Sequence, residues 1–172
     1  MNPSFQAIEI ASWEHLLGLL RQECAQLEIL KTTLEEQLEA LRRIDLEALD
    51  RCVEAENAVL FLLHRIERQR RELLRHMGTM LGLETEEISC EWLLEGAPER
   101  FGNQLRSHLL KRRMLLEGVL ACQVRVQKVL EYAQQLLRDR YREIAPPGAV
   151  IAYDRTGSRA GAVEASWIDQ TA

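Results

Sequence analysis

The sequence predicts an all-α protein: an elongated antiparallel three-helix bundle with coiled-coil-like packing, a short connector helix and a flexible C-terminal tail. Three observations carry that expectation. Hydrophobic residues make up 47% of the 172-residue chain but aromatics only 5%, a usage suited to long amphipathic helices rather than to a sheet-containing globule. The first forty residues carry a seam, with Trp13, Leu20, Leu27, Leu34 and Leu41 at heptad spacing. Pro98 to Ile144 keeps a helical period throughout. Pro98 fits a first helical position, and Pro146, Pro147 and Gly148 stop the helix. At about 1.5 Å per residue such a rod measures roughly 70 Å, so other helices must lie alongside it.

The first helix starts between Asn2, followed by Pro3, and Ser12, each of which is a capping residue. Leu16, Leu30 and Ile44 hold the companion seam position. Glu23 and Gln37 interrupt it, while Leu17, Cys24 and Leu38 widen the stripe toward a bundle face that needs more than one partner. Asp45 is placed to cap a second helix where the first turns back; the alternative is one uninterrupted helix to Leu81. Gly82 suits the left-handed residue that closes a helix. Thr85 then caps a connector from Glu86 to Glu95, ending at Gly96. In the long helix, Phe101, Leu105, Leu109, Leu116, Val119, Cys122, Val126, Val129, Ala133 and Leu137 recur at spacings of three and four, on one face. Beyond Ile144 the composition shifts to Pro, Gly, Ala, Ser and Thr, which bury too little apolar surface to order themselves. The expected domains are therefore a helical bundle over 1–144 and a flexible tail over 145–172.

Charge and motifs narrow the function. Acidic residues number 27 and basic residues 22, for a net charge of -5, and the two signs are interspersed, which disfavours nucleic acid and anionic lipid. The most basic run, His64 to His76, reads as a solvated helix face: Glu67 can pair with Arg71, Glu72 with a protonated His76, and no aromatic residue supplies a stacking platform. Cys24, Cys52, Cys90 and Cys122 lie far apart, as reduced structural thiols do. No leader and no membrane-length apolar run is evident, so a soluble cytoplasmic protein without stable membrane insertion is expected. Bundle metal enzymes need Glu-x-x-His pairs, but Ser12, Phe61, Leu73 and Leu105 stand three residues before the four histidines. Phosphate loops and nucleophile elbows are missing too. Neither catalysis nor a cofactor is expected.

The informative excess is apolar. Ala58 to Leu63 faces every direction around the second helix, and Val119 to Cys122 with Val124 and Val126 nearly does so in the last. Three helices can enclose a core there and still leave an apolar groove for an amphipathic helix of another chain. Equally, these side chains can complete an ordinary core or a homodimer.

Several segments together resemble the FlgN family of flagellar type III export chaperones: the leucine-rich first helix, IDLEALDRCVEAENAVLFLLHRIERQRRELL, the connector LGLETEEIS, the helix LLKRRMLLEGVLACQVRVQKVLEYAQQLL and the tail YDRTGS. The resemblance spans Leu16 to Ser158. One departure is Lys111-Arg112-Arg113, where family members often carry asparagines. The resemblance implies a cytoplasmic, non-enzymatic chaperone for protein export. It would bind the C-terminal helices of hook-filament junction proteins (FlgK and FlgL type), preventing premature assembly. Cargo contact then falls to Leu62, Leu115, Leu120 and Val124. Tyr153, in a Tyr-x-x-x-Gly setting, would dock on the export gate, the alternative being that it folds back onto the bundle. The alternative is a homo-oligomeric coiled-coil scaffold or adaptor using the same apolar surplus.

Overall fold

The computed structural model describes residues 5, 8–83, 88–144, 150–153 and 159–163. Four helices follow one another: α1 (Ile10–Arg43), α2 (Leu46–Met80), α3 (Cys90–Gly96) and α4 (Glu99–Ile144). The chain forms two compact units, residues 1–127 and 128–172, whose boundary falls inside α4.

The turn at Asp45 is real. Its side chain accepts a hydrogen bond from the Ala48 N–H at 2.9 Å, capping α2. Before it, Ile44 closes α1 in the left-handed conformation, with φ of 57°, and the Asp45 N–H reaches back to the Ala40 carbonyl at 3.0 Å. A β-branched residue there carries a cost of roughly 1–2 kcal/mol. Ile44 is also 81% exposed, which corrects its expected place in the seam: the heptad pattern ends at Leu41 because the backbone reverses at the next turn.

α2 returns antiparallel along α1, and α4 runs parallel to α1. The latter follows from polar contacts between them, whose sequence separations stay between 83 and 89. α3 links α2 to α4. The Ser89 hydroxyl caps it by accepting from the Trp92 N–H at 3.0 Å. The connector helix therefore starts at Cys90 rather than Glu86, and the expected Thr85 cap lies outside the described residues. Gly82 takes the left-handed conformation foreseen for it, with φ of 68°. Gly78 serves a different need: a methyl group there would collide with Ile88 Cδ1, so the glycine lets the chain before α3 close on α2.

Two apolar clusters result. The first joins Trp13, Leu16 and Leu20 of α1 with Met77, Leu93 and Leu105, and Trp13 stacks on Phe101 at 5.9 Å. The second gathers Leu27, Leu30, Leu34, Val59, Val119 and Cys122. Beyond α4 two short strands, β1 (Val150–Tyr153) and β2 (Arg159–Val163), pair antiparallel, with Tyr153 opposite Arg159. The sequence reading foresaw no strand in this tail. The turn composition noted from Asp154 to Gly157 lies outside the described residues.

Candidate helix-binding surfaces

Between the two clusters sits a charged contact drawn from three helices. Glu23 of α1, whose side chain is only 8% exposed, accepts a hydrogen bond from Arg112 Nε of α4 at 2.7 Å. Arg70 of α2 brings its Nε to 3.4 Å from the other carboxylate oxygen. That approach gives charge attraction without hydrogen-bond geometry, and neither atom has a hydrogen-bond partner among the described residues. Arg70 also reaches Cys90 Sγ of α3 at 3.9 Å. Burial works against the charge on Arg112, but the hydrogen bond and charge of Glu23 more than offset it and raise its pKa. Burial likewise raises the Cys90 thiol, with Arg70 opposing.

The interruption of the α1 seam at Glu23 is thus the anchor for two arginines. A signal was available: a lone carboxylate at a seam position calls for basic partners at matching heights. Lys111, Arg112 and Arg113, the departure noted above, have separate destinations. Lys111 pairs with Glu28 at 2.8 Å, Arg112 with Glu23, and Arg113 with Glu117 at 3.1 Å. Next to them, Arg21 Nε donates to His108 Nε2 at 3.3 Å and its Nη2 donates to Gln104 at 3.1 Å. Burial, then the charges of Arg21 and Lys111, lower the pKa of His108.

Apart from Arg70, which the Glu23 contact draws inward, the arginines of the basic run on α2 form a surface face. Arg71 pairs with Glu67, as expected, and the hydrogen bond from Arg71 is the main reason the Glu67 pKa is lowered. Glu72, however, pairs with Arg68 at 3.0 Å rather than with His76. Among the described residues no group of three His, Cys, Asp or Glu side chains is arranged to hold a metal ion.

The apolar residues expected to meet a partner separate onto different surfaces. Leu120 and Val124 are 59% and 50% exposed on α4, with Leu110 and Met114 on the same outward side at 60% and 65%. Leu115 lies half-buried beside the second cluster. Leu62, 39% exposed, instead lines a groove between α1 and α2 to which α4 contributes nothing. Neighbouring Phe61 is 70% exposed. The sequence reading named the Ala58 to Leu63 surplus without singling out Phe61; its position opposite Val59 on the helix was the available signal. Tyr153 is in β1, within the second compact unit.

The model of the FlgN family, described as FlgN protein, matches residues 12–137. The chain belongs to the FlgN family. That stretch takes in all of α2 and α3, nearly all of α1 and most of α4, so membership rests on the helices that build both apolar clusters. It places the chain among flagellar export chaperones. No curated protein and no solved structure matches. Among the described residues no helix is long and apolar enough to cross a membrane.

Proposed function

We propose that this FlgN-family chain is a cytoplasmic, non-enzymatic chaperone that covers the amphipathic C-terminal helices of hook-filament junction proteins (FlgK and FlgL type) and delivers them for export. The observation that carries the reading is the exposed apolar side of α4, where Leu110, Met114, Leu120 and Val124 lie open. A cargo helix presents the complementary stripe, and covering it blocks premature polymerisation by mass action, without nucleotide chemistry. The arrangement this reading uses is an antiparallel three-helix bundle with α4 as its presenting helix. Leu115 backs the contact, Leu62 adds a contact on α2, and Tyr153 in the tail docks on the export gate.

The test is a titration of a C-terminal junction-protein segment against four variants, with circular dichroism alongside. Leu120→Glu and Val124→Glu are expected to weaken binding roughly tenfold or more while helicity stays. Leu27→Glu and Leu34→Glu, both within the second cluster, should lose helicity. Equal loss of helicity in all four means that no separate binding face exists. A homo-oligomeric scaffold would form no complex with the segment at all. In the same series Tyr153→Ala should keep cargo affinity but lose binding to the export-gate protein.

A further inference from the structure

The groove that contains Leu62 lies between α1 and α2, encloses about 560 Å³, and has no α4 residue in its lining. Its floor is apolar, formed by Leu19, Ile66 and Leu62. Its walls carry His15, Arg65 and three glutamines, and none of its lining residues is Asp or Glu. Arg68 and Arg71 on the same helix are paired with carboxylates. Arg65 is exposed and has no ion-pair partner among the described residues. The groove is therefore apolar in the middle and cationic at its edge.

Gly18 and Ala25 also line this groove. Glycine weakens a helix interior relative to alanine, so its presence there needs a reason. At Gly78 and Gly96 the fold supplies one, because a methyl group would collide with Ile88 or Phe5. At Gly18 it supplies none: a methyl group would meet no atom within 4 Å. The open space is directed into the groove, and Ala25 lies two helical turns further along the same face. Small residues at that spacing allow another helix backbone to approach closely.

We infer that the α1/α2 groove is a docking site for an amphipathic helix of a partner protein whose apolar stripe is flanked by carboxylates. The apolar residues enter over Leu19, Leu62 and Ile66, the helix backbone passes over Gly18, and the acidic flank meets Arg65 and His15. The inference rests on the helix-binding function proposed above and specifies the chemistry of the partner at Leu62. Specificity comes from charge: a helix with a basic flank meets Arg65 unfavourably.

Two synthetic helical peptides serve as probes, sharing one leucine stripe but flanked by glutamates in one and lysines in the other. They are titrated against the full chain, Gly18→Met and Arg65→Glu, with thermal melts as the folding control and sedimentation as the control for self-association. The glutamate peptide should bind wild type, and bind Gly18→Met roughly tenfold more weakly. Arg65→Glu should reverse the preference between the peptides. Gly18→Ala, which adds one methyl in open space, should melt no lower than wild type and so separates groove blocking from misfolding. Equal binding of both peptides, or glutamate-peptide binding unchanged by Gly18→Met, overturns the inference. So does self-association lost in Gly18→Met, which would put a second copy in the groove. A junction-protein segment that binds wild type but is insensitive to Gly18→Met leaves the proposed function standing and removes this site. Glutamate-peptide binding without junction-segment binding does the reverse.

Discussion

The two apolar clusters are built from the same three long helices, yet one is sealed and the other is open. Around Trp13, Leu16, Leu20 and Leu105, α3 and the residues before it cover the core: Leu93 is fully buried and Ile88 and Cys90 nearly so. Around Leu30, Val59 and Val119 the described residues of the cluster come from the three long helices alone, and Phe61 and Leu120 on the same helices stay 70% and 59% exposed. Three helices pack one stripe each against their neighbours; apolar residues beyond that stripe need another element. The sealed cluster accordingly belongs wholly to the fold, whereas the surplus apolar residues beside the open one, Leu120 among them, are where the proposed cargo contact falls. The charged contact of Glu23, Arg70 and Arg112 lies at the boundary between them.

If that division is right, substitutions should sort by cluster. Leu105→Ala, at a side chain with 0% exposure, should cost about 4 kcal/mol of stability by leaving a cavity in the sealed cluster. Leu120→Ala should change stability by less than about 0.5 kcal/mol. Denaturant unfolding of both variants checks this, and similar losses would erase the distinction.

At the boundary, Glu23→Gln keeps the shape but leaves Arg70 and Arg112 facing each other without a counter-charge. A loss of about 3 kcal/mol is expected. Replacing all three groups together, as Glu23→Leu, Arg70→Met and Arg112→Leu, should recover most of it, because no uncompensated charge then stays buried. Failure of the triple variant to recover would show that the contact contributes stability and not only the pairing of the helices.

The smallest effect concerns pH. His108 has a folded-state pKa below its unfolded value because of burial and the nearby Arg21 and Lys111. The folded state therefore favours neutral imidazole. Its contribution is complete above the unfolded pKa of about 6.5 and is lost as pH falls through the lowered folded-state value. Between about pH 7 and pH 5.5 the unfolding midpoint should drop less in His108→Gln than in wild type, since glutamine still offers an acceptor to Arg21. An equal drop would place the acid sensitivity elsewhere.

The sequence by itself determined the helices. Their apolar periods, the Asp45 cap, the left-handed Gly82 and the proline-bounded last helix all depend on residues within a turn or two of one another, and local chemistry decides such features. It also contained the family, since the order of seam, connector and last helix is linear information. It misplaced Ile44 because heptad spacing continues through a reversal that one backbone conformation creates. It left the first helix without a defined start, which the structure puts at Ile10 with no side-chain cap from Glu9. The strands β1 and β2 escaped although Val150, Ile151 and Tyr153 favour a strand, because the partner segment Arg159–Val163 has little strand preference of its own and the pairing is decided between the two. Tertiary structure alone decided which apolar residues are core and which are surface. Leu62 and Leu120 look equivalent by period, but one lies against α1 and the other turns away from it. The same holds for Glu23, a seam interruption in one dimension and a three-helix contact in three. Burial and charge pairing depend on what stands opposite a residue, and a helical period fixes only its direction around its own axis.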